Sequence, residues 1–166
     1  MGAIGGDTPV SDLDEFLKKT DDEITKAKAA AKAKDDAEQD KRSKVLALVK
    51  AEWPTLMPTM RSITAGKKLG NQGFFEYGGN GMMLGGSVVS LVEGRKENER
   101  DYHYVAKFRA SEFVSQETDV SLTPDLVGDK LQWTANGIKG QLSTEQLANE
   151  LVIKLVKVYK STQLPR

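Results

Sequence analysis

Cysteine is absent from this 166-residue chain, and histidine occurs once. The first absence excludes disulfides, thiolate zinc sites, iron–sulfur clusters and a cysteine nucleophile together. The second excludes any metal site built on paired histidines and leaves His103 alone to carry a Ser-His-Asp arrangement. A surplus of one charge is missing too, since 24 basic side chains balance 24 acidic ones. Nucleic-acid binders usually carry a basic excess, because phosphate neutralisation supplies most of their non-specific affinity. The balance argues against that class. No apolar run nears the ~20 residues that a membrane-crossing helix needs. The opening residues Met1–Asp7 hold neither the basic nor the apolar region of a secretory leader, and Gly6 stands where a myristoylation pattern wants Ser or Thr. A soluble, cytoplasmic protein with no membrane partner is the expectation.

What is present is distributed unevenly. The length suffices for one good core and is too short for two ordinary ones. Three regions are expected: a glycine-rich, disordered lead over 1–10, a charged helical arm over 11–44, and a single compact α+β domain over 45–166. Ser11 reads as a helix N-cap, with Asp12, Asp14 and Glu15 in the first turn, where carboxylates favour the positive end of the helix dipole. Leu13, Phe16 and Leu17 give that start a short apolar face. From Lys18 to Lys44 the one large aliphatic residue is Ile24, and the rest is mainly Lys, Asp, Glu and Ala. Helix propensity is high there, but the sustained hydrophobic seam of a stable coiled coil is lacking. The bland interpretation is a solvated single helix. The sharper one is an oligomerisation arm, or a helix that docks on a partner.

From Val45 the pattern becomes that of a buried helix. Val45, Val49, Trp53, Leu56, Met60 and Ile63 recur every three or four residues on one face. Pro54 and Pro58 interrupt it, which predicts a kink or restart near Trp53-Pro54 and an end by Gly66. Beyond Gly70 the period turns to two. Strands are expected over 74–77, over 82–92 with a bulge or bend at Gly85-Gly86, over 101–109, over 113–123, over 130–135 and over 138–142. Asn80-Gly81 and Asn136-Gly137 are hairpin signals, and a turn is expected around Pro124 to Asp129. About five to six strands with short connections make an antiparallel meander. Ser143 and Gln146 then form a capping box, with Leu142 and Leu147 as its hydrophobic staple, opening a C-terminal helix to about Lys160 that packs on the sheet.

None of the chemical signatures survives inspection. Gly79-Asn80-Gly81 with Gly85 and Gly86 is followed by the β-branched run Ser87 to Val92, so it reads as a hairpin and not as a phosphate-cradling helix start. Gly66-Lys67-Lys68 lacks the upstream glycine and the closing Ser or Thr of a phosphate loop, and Gly85-Gly86-Ser87 lacks the last glycine of a nucleophile elbow. His103 sits in mid-strand, facing away from Tyr102 and Tyr104. The acidic groups Asp12/Asp14, Asp21/Asp22/Glu23 and Asp35/Asp36 lie on a segment too polar to shield them, as acid–base work requires. Arg61, Lys67 and Lys68, with Arg95, Lys96 and Arg100 in a loop that also holds glutamates, make a weak basic feature.

No catalytic, cofactor-binding or metal residues are therefore assigned, no cofactor is expected, and binding residues stay unassigned. The function expected is a non-enzymatic protein-interaction or structural module. Its partner would be another protein, or a second copy, met through the N-terminal helix. The alternative is a small apolar-ligand binder with a cavity between a curved sheet and the C-terminal helix.

Overall fold

The computed structural model describes residues 2–95, 102–110 and 117–164, with side chains described from Asp12 onward and not at Arg95. The chain divides into two units, Met1–Ser43 and Lys44–Arg166. One helix, α1 (Gly2–Thr64), supplies the first unit and opens the second. There follow β1 (Lys68–Leu69), β2 (Gly73–Gly78), β3 (Gly81–Leu84), β4 (Ser87–Arg95), β5 (Tyr102–Arg109), β6 (Glu117–Val127), β7 (Lys130–Ala135) and α2 (Thr144–Gln163). The seven strands form one antiparallel sheet in sequence order. The class is α+β, as the change of period implies, with slightly more strands than the periodicity suggests.

The helix ends differ from expectation at the start of α1 and the end of α2. α1 begins at Gly2, so Ser11 is interior and not its cap. A helix already nucleated adds one hydrogen bond for each further residue, so it can extend backwards past a capping residue. α1 also passes through Pro54 and Pro58 without restarting. Each proline removes one amide donor, and the carbonyls left over belong to Lys50 and Pro54, two exposed residues that water can reach.

The strands depart from expectation too. The run from Met82 to Val92 is two strands: Leu84 pairs with Ser87, and Gly85-Gly86 is the hairpin turn between them. β1 is too short to show any period. β6 carries on through Pro124 to Val127, and the turn falls on Gly128-Asp129. Pro124 is tolerated because the β5–β6 ladder ends at Tyr104 and Leu122, which leaves β6 an edge on that side. Residues 138–142 form no ladder strand. Their backbone makes a turn, with the Ile138 amide bonded to the Ala135 carbonyl, and then one bridge between Trp133 and Leu142. The charged loop expected from Glu93 to Arg100 starts later, since β4 runs on to Arg95 in its pairing with β5. Its remainder over 96–100, and the first residues of the expected strand at 113–116, lie outside the described residues.

Alternation along the strands fixes which face is covered. Met82 and Leu84, Val89 and Leu91, Tyr104, Ala106 and Phe108 are buried on one side. On the other, Val105 is half-buried while Lys107 and Arg109 are exposed, directly opposite Asp119 and Glu117 on β6. Two helical segments cover the buried side. Val49, Leu56 and Met60 of α1 and Leu147, Leu151 and Leu155 of α2 join the strand residues in one core. The capping box at Ser143 is formed as expected. The Gln146 amide donates to the Ser143 hydroxyl at 3.2 Å, and the Ser143 amide donates to Gln146 Oε1 at 2.9 Å. α2 continues to Gln163, a little past the expected end.

Candidate functional site

Among the described residues, one place in each unit could meet another molecule. In the first, every side chain from Asp12 to Ser43 is exposed except Thr20, which is half-buried. That is unremarkable for Lys, Asp and Glu. It is costly for Leu13, Phe16, Leu17 and Ile24, which stand 55%, 63%, 51% and 47% exposed. Full burial of side chains of this kind contributes roughly 1.5–3 kcal/mol each, so the stripe is poised to gain from being covered. The expected acidic groups, from Asp12 to Asp36, are all exposed, as a solvated face requires.

The second place is a groove of about 490 Å³ lined by Trp53, Pro54, Met57, Pro58, Arg61 and Leu91, with Asn80 and Glu93 at its rim. The residues arrive from α1 and from the β2–β3–β4 meander. Trp53 is its one aromatic lining residue and packs on two further rings in the core. Trp53 lies 4.9 Å from the Tyr104 ring and 5.8 Å from that of Trp133, and Tyr104 meets Trp133 edge-on at 5.6 Å. Behind this cluster runs a polar chain: Trp133 Nε1–H donates to Thr144 Oγ1 at 3.0 Å, and the Thr144 hydroxyl donates to Glu52 Oε1 at 3.0 Å. Arg61, a candidate from the basic feature, is engaged structurally. It donates to the Gly79 carbonyl at 3.4 Å and stacks over Tyr77 at 5.4 Å, tying the β2–β3 turn to α1. Tyr77 in turn shares a hydrogen bond of 2.8 Å with the buried Thr64 hydroxyl.

The other sequence candidates do not converge. Lys67 and Lys68 are exposed, with Lys68 over Phe74 at 5.8 Å. His103 is half-buried on the sheet face away from the aromatic cluster. Arg95 ends β4, and Lys96 and Arg100 lie outside the described residues. Among the described residues no group of three or more acidic or histidine side chains is placed to hold a metal, and no helix is long and apolar enough to cross a membrane. α2 has no part in lining the groove.

Tyr104, packed against Trp53, has a shifted phenol. Burial pushes the Tyr104 phenol above its ordinary value, and the Glu93 carboxylate and the Tyr102 phenol push it the same way. The folded protein therefore holds this proton more tightly than the unfolded chain does. The resulting stability is complete below the unfolded value of about 10 and is lost as pH rises through the folded value. Urea unfolding at increasing alkaline pH should show a steeper loss of stability for the native chain than for Tyr104→Phe. Equal slopes would remove Tyr104 as the cause.

No known protein family, curated protein or solved structure matches this chain.

Proposed function

We propose that this protein is a non-enzymatic interaction or structural module whose helix over 12–43 pairs with another protein chain, and that it works in a reducing compartment such as the cytoplasm. The observation that supports this is the run of exposed apolar residues Leu13, Phe16, Leu17 and Ile24 on an otherwise charged helix. A helix used only as a solvated spacer gains nothing from large apolar side chains on its surface, whereas a docking helix needs them spaced along one stripe. The lack of cysteine suits a reducing environment without requiring one. On this reading the folded unit beyond residue 44 is the carried body.

Size-exclusion chromatography with light scattering tests the proposal on the full chain and on a version lacking residues 1–44. The full chain is expected to assemble beyond the mass of one chain as concentration rises, and the truncated one to stay monomeric. A strictly monomeric full chain, unchanged by the truncation, would count against the proposal.

A further inference from the structure

The exposed stripe carries more information than its exposure. Leu13, Leu17, Thr20, Ile24, Ala27 and Ala31 follow one another at alternating spacings of four and three residues. This is the spacing at which a left-handed coiled coil seats its inward positions, conventionally a and d. With Leu17, Ile24 and Ala31 at a, the d positions are Leu13, Thr20 and Ala27. Leu13, Leu17 and Ile24 are the large members of the set, and each is about half exposed. The seam spans about 28 Å of helix at 1.5 Å per residue. Past Ala31 it ends, because the next positions in phase are Lys34 and Glu38.

The flanking charges choose between orientations. Asp14, Asp21 and Lys28 stand at e, and Phe16, Glu23 and Ala30 stand at g. In a parallel, in-register pair each g residue faces the e residue five positions later on the other helix. Glu23 then meets Lys28 of the second copy, twice by symmetry. The other two such contacts, Phe16 with Asp21 and Ala30 with Asp35, set no like charges together. In an antiparallel pair e faces e and g faces g. The antiparallel register that overlaps the whole seam, Leu13 against Ala31, sets Glu23 against Glu23 and Asp21 against Asp21, so that its two Asp14–Lys28 contacts are offset. The parallel pair has its two Glu23–Lys28 contacts and no like-charge one. Like charges at these positions oppose association.

We infer that the partner of this helix is a second copy of the same chain, the two helices running parallel and in register over 13–31. The inference rests on the proposed interaction role and names its partner. Ile24 at a and Leu13 at d are the choices that favour two strands over three or four. Thr20 and the two alanines keep the seam weak, so the dimer forms reversibly with concentration.

The cysteine-free chain makes a direct test available. Three full-length variants each carry one thiol: Leu13→Cys and Ala31→Cys at the two ends of the seam, and Asp22→Cys on the outward face. All three positions are exposed, so the fold should be unaffected, which far-UV circular dichroism checks. On mild oxidation, Leu13→Cys and Ala31→Cys should each give about tenfold more disulfide-linked dimer than Asp22→Cys, because only the seam positions bring like residues within bonding range. A second arm uses charge. Glu23→Lys should raise the dimer dissociation constant several-fold, and adding Lys28→Glu should restore it. A disulfide formed only when Leu13→Cys is mixed with Ala31→Cys would mean an antiparallel pair and overturn the inference, while leaving the interaction role in place. Assembly without seam-dependent disulfides would do the same. A chain that neither assembles nor cross-links would overturn both.

Discussion

Trp133→Ala is expected to cost about 4 kcal/mol of folding free energy, the middle of the range for truncating a fully buried aromatic. Trp133 is wholly inaccessible and sits where three parts of the second unit meet. Its ring packs against Trp53 of α1 and Tyr104 of β5, and its indole N–H is bonded to Thr144 at the start of α2. Alanine removes both ring contacts and leaves a cavity that the neighbours cannot close. They are themselves fixed, Tyr104 by its strand pairing and Thr144 by the hydrogen bond to Glu52 and by the cap that begins α2. Domains of this size carry about 5–15 kcal/mol in all, so the variant should be close to its unfolding threshold at room temperature. Urea denaturation followed by far-UV circular dichroism measures the loss without relying on the deleted fluorophore. Trp53→Ala, at a half-buried position on the groove wall, should cost about half as much. If the two variants lose the same amount, the cluster does not have its centre at Trp133.

The same indole shows how far the letters carry. Leu131, Trp133 and Ala135 share a face by simple alternation, and all three are buried. Tyr104, Ala106 and Phe108 follow the same rule, and the capping box at Ser143 is local chemistry that distant residues do not alter. What alternation does not carry is the choice between two conformations of one residue type. Gly85-Gly86 permits a bend within a strand as readily as a turn between two strands, and the apolar run on either side suits both. Pro124 breaks a central strand and is accepted by an edge, but edge status depends on where the pairing with β5 ends, at Tyr104, twenty residues back in the sequence. Pairing, not propensity, decided each case.

The candidate surfaces divide along the same line. The groove draws on residues 53–61 and 79–93, which only the packing of α1 on the meander brings together. No sequence period connects them. The helical stripe is different, since its four-and-three spacing is written in the sequence between Leu13 and Ala31. It is easy to pass over because three of its six positions are Thr or Ala, and hydrophobicity alone therefore scores it low. Exposure supplies the missing weight. A half-exposed Leu13, Leu17 and Ile24 on a helix otherwise built for water call for a covering surface.

Gly85→Ala should be the most damaging replacement among the positive-φ glycines, at about 2–5 kcal/mol, and its cost can be separated into parts. Gly85 holds φ at 62°, in the left-handed region, where a side chain costs roughly 1–2 kcal/mol. A Cβ at this position would also lie 2.6 Å from Cε2 of Tyr159. Tyr159 belongs to the last part of α2 and is packed against the core, so its ring must move for the methyl group to fit. Overpacking of this kind adds about 1–3 kcal/mol. Gly128 provides the comparison within the same molecule. It occupies the matching first position of the β6–β7 turn with φ at 63°, and a Cβ there would meet nothing within 4 Å. Gly128→Ala should therefore show the backbone cost alone, and the difference between the two variants should measure the contact with Tyr159. Shortening the ring tests that assignment: in a Tyr159→Ala background the cost of Gly85→Ala should fall to that of Gly128→Ala. If it stays high, the hairpin's resistance to a side chain lies in its own backbone and not in the helix that covers it.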